Sequence, residues 1–485
     1  MNIFFNNSKI GLEEFDNNVK KLATVLRSKG LQAGGVVAIL LRNDVRQFEI
    51  IEACRYLEIS FVPLNWHATG SELQHILTDS GASVLIAHAD LASAAINELS
   101  EQACILVYPT PENILVSYNI KKQEKTVLES RCEDMTTLLE NANPIATAIK
   151  PFRGIFSYTS GSTGRPKGIR RQVSQSQSDP YGVYERLART LLKLEKGDRF
   201  YVSAPIYHSA PNALSLCCIA ARYADMYIEP KFDAEKFLAD IERYKITHTY
   251  IVPTMMIRLL KLPKEIKETY DISSLKFGIS SGSAWPADVK KAMIDWFGPI
   301  FYESYGASEI GFMTLISSEE AIKKPGSVGK ILSGGSIKIL DDDKNELAVG
   351  ESGSIYVYLP MFGDFAYTNS AENEPDERYQ GHTTVGDIGY VDAQGYLYIN
   401  DRKKDMIISG GANIFPAEIE AAMVEMPQIL DCAVFGIADK EFGEKVVAAV
   451  TCQVGHSLSL QQVHAFLDGK ISRFKYPRQL DLHDS

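Results

Sequence analysis

Residues 13 to 87 alternate segments of helical spacing with short apolar runs, and this alternation narrows the folds open to the chain more than any other feature. Phe15, Val19, Leu22 and Leu26 recur at helical spacing, and Gly30 follows as a stop. The pattern predicts a strand at Val36–Leu41, a helix at Arg46–Leu57, a strand at Phe61–Leu64, a helix at Glu72–Leu77 and a strand at Val84–Ala87. Helices alternating with apolar strands indicate parallel βαβ units. Strand-like runs return at His248–Val252, Leu275–Ile279 and Ile300–Tyr302, each leading into a polar, glycine-containing loop. In open parallel sheets, ligands sit beyond such strand ends.

From about Gly335 the texture changes. Ser336–Leu340, Ser354–Tyr358 and Tyr396–Ile399 alternate apolar with polar residues and are separated by Gly, Asp and Asn, which predicts a β-rich subdomain over 335–400. Beyond Asp401 the pattern is mixed: a helix at Pro416–Glu425, strands at Asp431–Gly436 and Val446–Thr451, and a helix at Leu460–Leu467. The boundaries that follow are a large domain over 1–400 and a small α+β domain over 401–485. Residues 119–136 are polar and charged and read as a solvated surface loop.

Composition excludes several classes. A net charge of −11 argues against a general nucleic-acid binder, which needs a basic face. The seven cysteines are odd in number and lack a CxxC pair, so they read as reduced thiols with neither a disulfide framework nor a zinc site, and Cys217-Cys218 as buried small apolar residues. The N-terminal patch Ile3-Phe4-Phe5 has no basic lead-in or long apolar run, so no signal peptide is expected. No run approaches the roughly 18 apolar residues of a membrane span. The expected location is the cytoplasm.

The most informative stretch runs from Tyr158 to Gly168. Four Ser and Thr hydroxyls (Thr159, Ser160, Ser162, Thr163), three glycines (Gly161, Gly164, Gly168) and Lys167 lie within eleven residues, after the apolar Ile155-Phe156. Glycines let backbone N–H groups approach an anion, hydroxyls add donors, and lysine adds a point charge suited to phosphate. Lys167 is followed by glycine, so this is not a Walker A loop.

The order Thr-Ser-Gly-Ser-Thr-Gly-x-Pro-Lys-Gly resembles the signature of the adenylate-forming superfamily of acyl-CoA synthetases, adenylation domains and luciferases. Further blocks follow in order: Tyr305-Gly306-Ala307-Ser308-Glu309; Thr384-Val385-Gly386-Asp387-Ile388-Gly389; Asp401-Arg402-Lys403-Lys404-Asp405; and Ser409-Gly410-Gly411-Ala412-Asn413. The resemblance spans roughly residues 10–480 and is strongest toward acyl-CoA ligases. It implies an α/β fold: a large N-terminal domain of parallel-sheet layers with a small distorted β-barrel, then a small mobile C-terminal lid.

The resemblance also implies roles. ATP and AMP would be held by Thr159, Ser160, Gly161, Ser162, Thr163, Gly164, Lys167, Ser281, Gly282, Ser283, Glu303, Ser304, Tyr305, Gly306, Ser308, Asp387 and Arg402. Within that set Tyr305 would stack on adenine, Asp387 would accept from the ribose hydroxyls, and Arg402 would touch ribose or phosphate. Glu309, with Thr163, would ligate Mg²⁺, a hard oxygen ligand for a hard cation. Lys167, Glu309 and His208 form the candidate catalytic set, with His208 placed to line the pocket rather than to move protons. Tyr207, His208, Ser209 and Trp285 would form the acyl pocket. Asp401 would be the hinge, and Lys404, Gly410 and Gly411 would face the thiol.

The implied reaction is attack of a carboxylate on the α-phosphorus of ATP, loss of pyrophosphate, and transfer of the acyl group to coenzyme A. A fatty or aromatic acid is expected from the apolar Ser209–Leu214 segment and Trp285. An acyl carrier protein in place of CoA, and a nucleotide-binding pseudoenzyme, are the alternatives. A homodimer is left open. The superfamily's closing Leu-Pro-x-x-x-x-Gly-Lys block is approached at Tyr476-Pro477-Arg478-Gln479, and the sequence stops at Ser485 without its lysine. The alternatives are a chain cut short, a first step carried by Lys167 and Arg402, or impaired adenylation.

Overall fold

The computed structural model describes residues 1–100, 104–121, 131–150, 154–159, 166–171, 182–283, 285–360, 365–368, 378–409, 412–439, 442–453 and 455–483. The chain divides into two compact units. The first comprises Met1–Ser283, Lys291–Met313 and Leu359–Pro375; the second comprises Ala284–Lys290, Thr314–Tyr358 and Asp376–Ser485.

The first unit carries the predicted parallel sheets. One has the strand order Ser60–Pro63, Val36–Leu40, Val84–His88, Cys104–Tyr108, Cys132–Asp134, all parallel. Val36–Leu40 and Val84–His88 are buried at every residue, as expected of parallel strands covered on both faces. The last strand corrects part of the 119–136 loop reading: residues 132–134 join the sheet, while 122–130 lie outside the described residues.

The second sheet runs Phe301–Glu303, Phe277–Ser280, His248–Tyr250, Arg199–Val202, Asp225–Ile228, Asn2–Phe5, again parallel, and Ser8–Gly11 closes it antiparallel. The N-terminal apolar patch is therefore an edge hairpin of this sheet, with Phe4 stacked on Tyr227 at 4.4 Å. Helices cover these sheets where the periodicity predicts them. Leu12–Ser28 buries Phe15, Val19, Leu22 and Leu26. Gly70–Ser80 begins with a Thr69/Glu72 capping box and stops at Gly81, whose φ of 68° suits glycine.

A third, antiparallel sheet of three strands, Phe365–Tyr367, Lys167–Arg171 and Phe156–Thr159, carries the signature stretch.

The second unit is antiparallel at its start. The predicted β-rich segment forms strands Ser336–Leu340, Gly353–Tyr358, His382–Val391 and Leu397–Arg402, in that order, followed by Ser327–Ile331. The C-terminal region builds its own core around Ile407, Ile419, Met423, Ile429, Val446, Val463 and Leu467. Its helices, Pro416–Met423 and Leu460–Leu467, accompany the long strand pair Ile429–Asp439 and Gly443–Cys452.

Candidate active site

The Lys167 strand returns directly from Phe156–Thr159, with Thr159 opposite Lys167. The two strands that flank the glycine- and hydroxyl-rich stretch in sequence therefore pair antiparallel. The calls on Ser160, Gly161, Ser162, Thr163 and Gly164, and on the Thr159 side chain, lie outside the described residues.

What fixes this hairpin is a set of residues that sequence reading missed. The Tyr158 hydroxyl donates to Asp79 Oδ2 at 2.6 Å, and Thr368 Oγ1 donates to the same oxygen at 2.5 Å. Burial first, and then the Asp79 carboxylate, push the Tyr158 phenol well above its ordinary range, so it stays a donor. The Thr368 N–H donates to Gly168 O at 2.9 Å. A Cβ on Gly168 would lie 2.6 Å from Thr368 Oγ1 and 2.8 Å from Tyr158 Cζ, so only glycine fits between them. His75 lies one turn before Asp79 on the same helix, and its Nε2 meets Pro166 O at 3.2 Å. One helix face thus holds both feet of the loop. The i, i+4 pair His75 and Asp79 was visible in the sequence, but nothing local tied it to residues 158–168.

Lys167, Ile169 and Arg171 share one face of their strand, because side chains alternate. Phe365 and Tyr367 lie opposite Arg171 and Ile169 on the neighbouring strand. The Lys167 Nζ sits 5.6 Å from the centre of the Tyr367 ring. The Tyr367 hydroxyl donates to Glu309 Oε1 at 3.4 Å. Lys167 and Glu309 thus meet the same tyrosine, which no local sequence pattern marks.

Glu309 belongs to a tight loop. A Cβ on Gly306 would lie 2.5 Å from Gly311 O, which explains the glycine of the Tyr305-Gly306 motif. Tyr305 O accepts from the Met313 N–H at 2.8 Å. Ser308 Oγ lies 3.0 Å from Ser209 Oγ, and Ser308 O accepts from an Arg171 guanidinium nitrogen at 3.1 Å. Arg171 too is absent from the sequence reading.

The loops after the parallel strands Phe277–Ser280 and Phe301–Glu303 lie next to one another. Tyr250 donates from its hydroxyl to Ser281 O at 3.0 Å, and burial pushes its phenol up to about 12. Gly282 has a φ of 93°, a conformation that favours glycine. The Ser304 N–H donates to Ser280 O at 2.9 Å, which sets the two loops side by side; Glu303 and Ser304 are buried, while Tyr305, Ser308 and Glu309 are half-buried. His208 precedes the helix Ser209–Ala221 and makes no side-chain cap bond to it. The Tyr207 ring is 4.2 Å from the His208 ring and makes an edge contact with Trp66 at 4.6 Å. Desolvation lowers the His208 pKa, so the neutral imidazole dominates near pH 7.

In the second unit, Asp387 is a strand partner of Arg402, and Arg402 Nε lies 3.7 Å from Asp387 Oδ1. Asp387 is buried and Arg402 exposed. Asp401 accepts from its neighbour's N–H (Arg402) at 2.7 Å and from the Ala417 N–H at 3.0 Å, so the expected hinge residue also caps the helix Pro416–Met423. Burial raises its pKa. Trp285 is buried in this unit with Lys290 Nζ over its ring at 5.2 Å. Lys404 is exposed; Gly410 and Gly411 lie outside the described residues.

Among the described residues no group of three His, Cys, Asp or Glu side chains could hold a metal by itself. A single half-buried carboxylate such as Glu309 fits a hard cation that keeps most of its ligands from water and phosphate, the usual state of Mg²⁺. Among them too, no helix is long and apolar enough to cross a membrane.

Comparison with known proteins gives the family. Residues 3–362 match the family model "AMP-binding enzyme", and residues 418–485 match "AMP-binding enzyme C-terminal domain". The chain is 30% identical to the indoleacetate–CoA ligase of Aromatoleum aromaticum, over 95% of this chain and 87% of that one. It is 30% identical to the 2-succinylbenzoate–CoA ligase of Oceanobacillus iheyensis, over 98% and 91%. The crystal structure of ATP-bound MatB from Rhodopseudomonas palustris superposes with a TM-score of 0.80 at 27% identity, covering 99% of this chain and 90% of that one. The fold is also that of the o-succinylbenzoate coenzyme A synthetase of Bacillus subtilis in complex with ATP and magnesium (TM-score 0.80, 23% identity, 99% and 92% coverage). The chain belongs to the AMP-binding enzyme family and is an adenylate-forming, ATP-dependent acid–thiol ligase.

Proposed function

We propose that this enzyme converts a fatty or aromatic carboxylic acid to its acyl-AMP and then to its coenzyme A thioester, with the following division of labour. The observation that carries the reading is the line Lys167, Tyr367, Glu309 at the end of the hairpin. A lysine suited to phosphate, next in the chain to a glycine-rich stretch, and a carboxylate suited to a hard cation both meet Tyr367. That is the charge pattern needed where pyrophosphate departs. Lys167 and the loop hold the phosphates, and Glu309 holds Mg²⁺, which neutralises phosphate charge when bound. The shelf Ser281-Gly282-Ser283 with Tyr305 receives adenine. Asp387 and Arg402 receive the ribose. The acid lies against Tyr207, His208 and Ser209.

Catalysis on this reading is positioning and charge stabilisation; no side chain forms a covalent bond. The neutral His208 lines the pocket without adding charge. Residues 401–485 act as the lid and pivot at Asp401, bringing Lys404 and the Gly410-Gly411 loop to the thiol. CoA is the acceptor we favour, since the relatives aligned over nearly the whole chain are CoA ligases; the pantetheine of an acyl carrier protein presents the same thiol. The seven cysteines are free, which fits a reducing compartment, and we place the enzyme in the cytoplasm.

The test is AMP release across a panel of acids, with CoA or a phosphopantetheinylated carrier, read by mass spectrometry of the acyl product. Acid- and CoA-dependent thioester is expected. AMP release that no acid stimulates would overturn the proposal.

A further inference from the structure

The segment Ala204–His208 leaves the second parallel sheet at the end of the strand Arg199–Val202 and carries Tyr207 and His208. Side-chain amides take over there from the strand ladder. The Ile206 N–H donates to Asn43 Oδ1 at 2.9 Å. Ile206 O accepts from Gln47 Nε2 at 3.3 Å and from Asn212 Nδ2 at 3.1 Å. Asn43 Nδ2 donates to Ala204 O and to Glu229 O, each at 3.0 Å. Asn43, Gln47 and Asn212 are each exposed by 1% or less. Water could satisfy such backbone groups without fixing them; buried side chains do both.

Asn43 follows the strand Val36–Leu40 of the first parallel sheet, whereas Ala204 and Glu229 follow Arg199–Val202 and Asp225–Ile228 of the second. One side chain therefore ties the carboxyl ends of two sheets, where ligands of such sheets bind. Its own base is braced. The Arg42 N–H donates to His88 Nδ1 at 3.2 Å, which leaves the His88 Nε2–H to donate to Asp44 Oδ2 at 3.0 Å. Asp44 Oδ1 accepts from the Arg46 N–H at 2.9 Å and so caps the helix Val45–Leu57 that carries Gln47. Asn212 comes from the helix Ser209–Ala221 on the other side of the segment. The peptide before Tyr207 is thus held from two helices and a strand end, while the Tyr207 ring rests against Trp66.

We propose that Asn43, Gln47 and Asn212 are positioning residues of the acyl pocket: they fix the Ala204–Ile206 backbone so that Tyr207 and His208 meet the acid in one orientation, and so set which acids are accepted. This rests on the ligase reading above, which lays the acid against Tyr207, His208 and Ser209. All three amides are buried and act through the backbone, with no part in bond making.

The test is steady-state kinetics over a series of straight-chain and aryl acids, followed by CoA-dependent AMP release, with KM measured separately for acid and for ATP. Gln47→Met keeps the length of the side chain and removes a donor to Ile206 O. It should raise KM for the acids by roughly 5-fold, the scale of one neutral buried hydrogen bond, and change their order of preference, with KM for ATP close to the wild-type value. Asn43→Asp keeps the shape but sets an oxygen against two carbonyl oxygens, and its shift in acid KM should be larger, roughly 10-fold or more. If Asn43→Asp does not fold, Gln47→Met alone decides. Equal losses for acid and ATP with the order of acids unchanged would mean that the amides serve stability alone, and the proposal fails. Wild-type acid KM values and order in folded Gln47→Met would overturn it as well. Either result leaves the ligase reading intact. A wild-type enzyme that turns over no acid of either series would bring down the ligase reading and this inference together.

Discussion

The two regions that carry candidate chemistry are built on different principles. In the first unit, the Lys167 hairpin is anchored by contacts that cross long stretches of sequence: Tyr158 to Asp79 over 79 residues, Thr368 to Asp79 over 289. In the second, Asp387 and Arg402 face each other across neighbouring antiparallel strands, and Arg402 remains exposed. The first arrangement is suited to a group whose position must be correct before substrate arrives. The second suits a group that adjusts as nucleotide binds. Preorganisation is most valuable where charge develops, which is the phosphate end.

If that contrast is right, the largest effects of mutation belong to the first unit. Glu309→Gln keeps the side-chain shape and its bond from Tyr367 but removes the charge. Acyl-AMP formation should fall by roughly 10²–10³-fold, the scale of losing one preorganised charged group. The half-saturating Mg²⁺ concentration should rise. An unchanged Mg²⁺ titration would remove Glu309 from the metal site.

Acid should separate the two units by the sign of its effect. Burial holds the His248 pKa down at about 4, against Asp198, which acts to raise it. Unfolded, this histidine takes a proton near pH 6.5, so stability at this strand is present above that pH and is lost as pH falls toward 4. A depression of about 2.5 units corresponds to roughly 3 kcal/mol at and below pH 4. In the second unit, burial raises the pKa values of Asp401 and Glu420. Their charged forms are penalised at neutral pH, and protonation relieves the penalty as pH falls through the raised values. Hydrogen exchange read by peptide between pH 6.5 and 4 should show protection falling around residues 248–250 before it falls around 416–423. The opposite order would contradict the assignment.

Asp79→Ala removes the acceptor of two hydroxyls without touching a candidate site residue. It should cost roughly 2 kcal/mol of stability and weaken ATP binding through the hairpin. Chemical denaturation and nucleotide titration would measure both; a stability loss with unaltered nucleotide affinity would separate the anchor from the site. Arg402→Ala should be the mildest. Its exposed pairing with Asp387 contributes about 0–1 kcal/mol, so the melting temperature should hardly move. A large drop would mean the pair is structural.

The same contrast explains what was legible in the sequence. Repeated parallel units, the β-rich segment and the order of elements after Asp401 followed from periodicity, because each rests on local spacing. Lys167, Glu309, Asp387 and Arg402 stood out through residue type and motif order. The ladder pairing of Asp387 with Arg402 is a consequence of strand register within one hairpin. His75, Asp79, Tyr367, Thr368 and Arg171 did not stand out. Each acts through a partner that only the folded chain brings near, and no local pattern marks a helix aspartate as the anchor of a loop eighty residues on. The Asn2–Phe5 strand was hidden for a related reason: a four-residue edge strand has too few residues to show a period.

The central claim is that the Lys167 hairpin serves the ATP-dependent step. The direct measurement is rapid-quench kinetics of Lys167→Ala on the two half-reactions, acyl-AMP formation from acid and ATP, and thioester formation from preformed acyl-AMP and CoA. The account predicts a fall of roughly 10²–10³-fold in the first, with the second reduced far less, in a protein that unfolds like the wild type. Equal loss in both steps, or acyl-AMP formation at the wild-type rate, would contradict it.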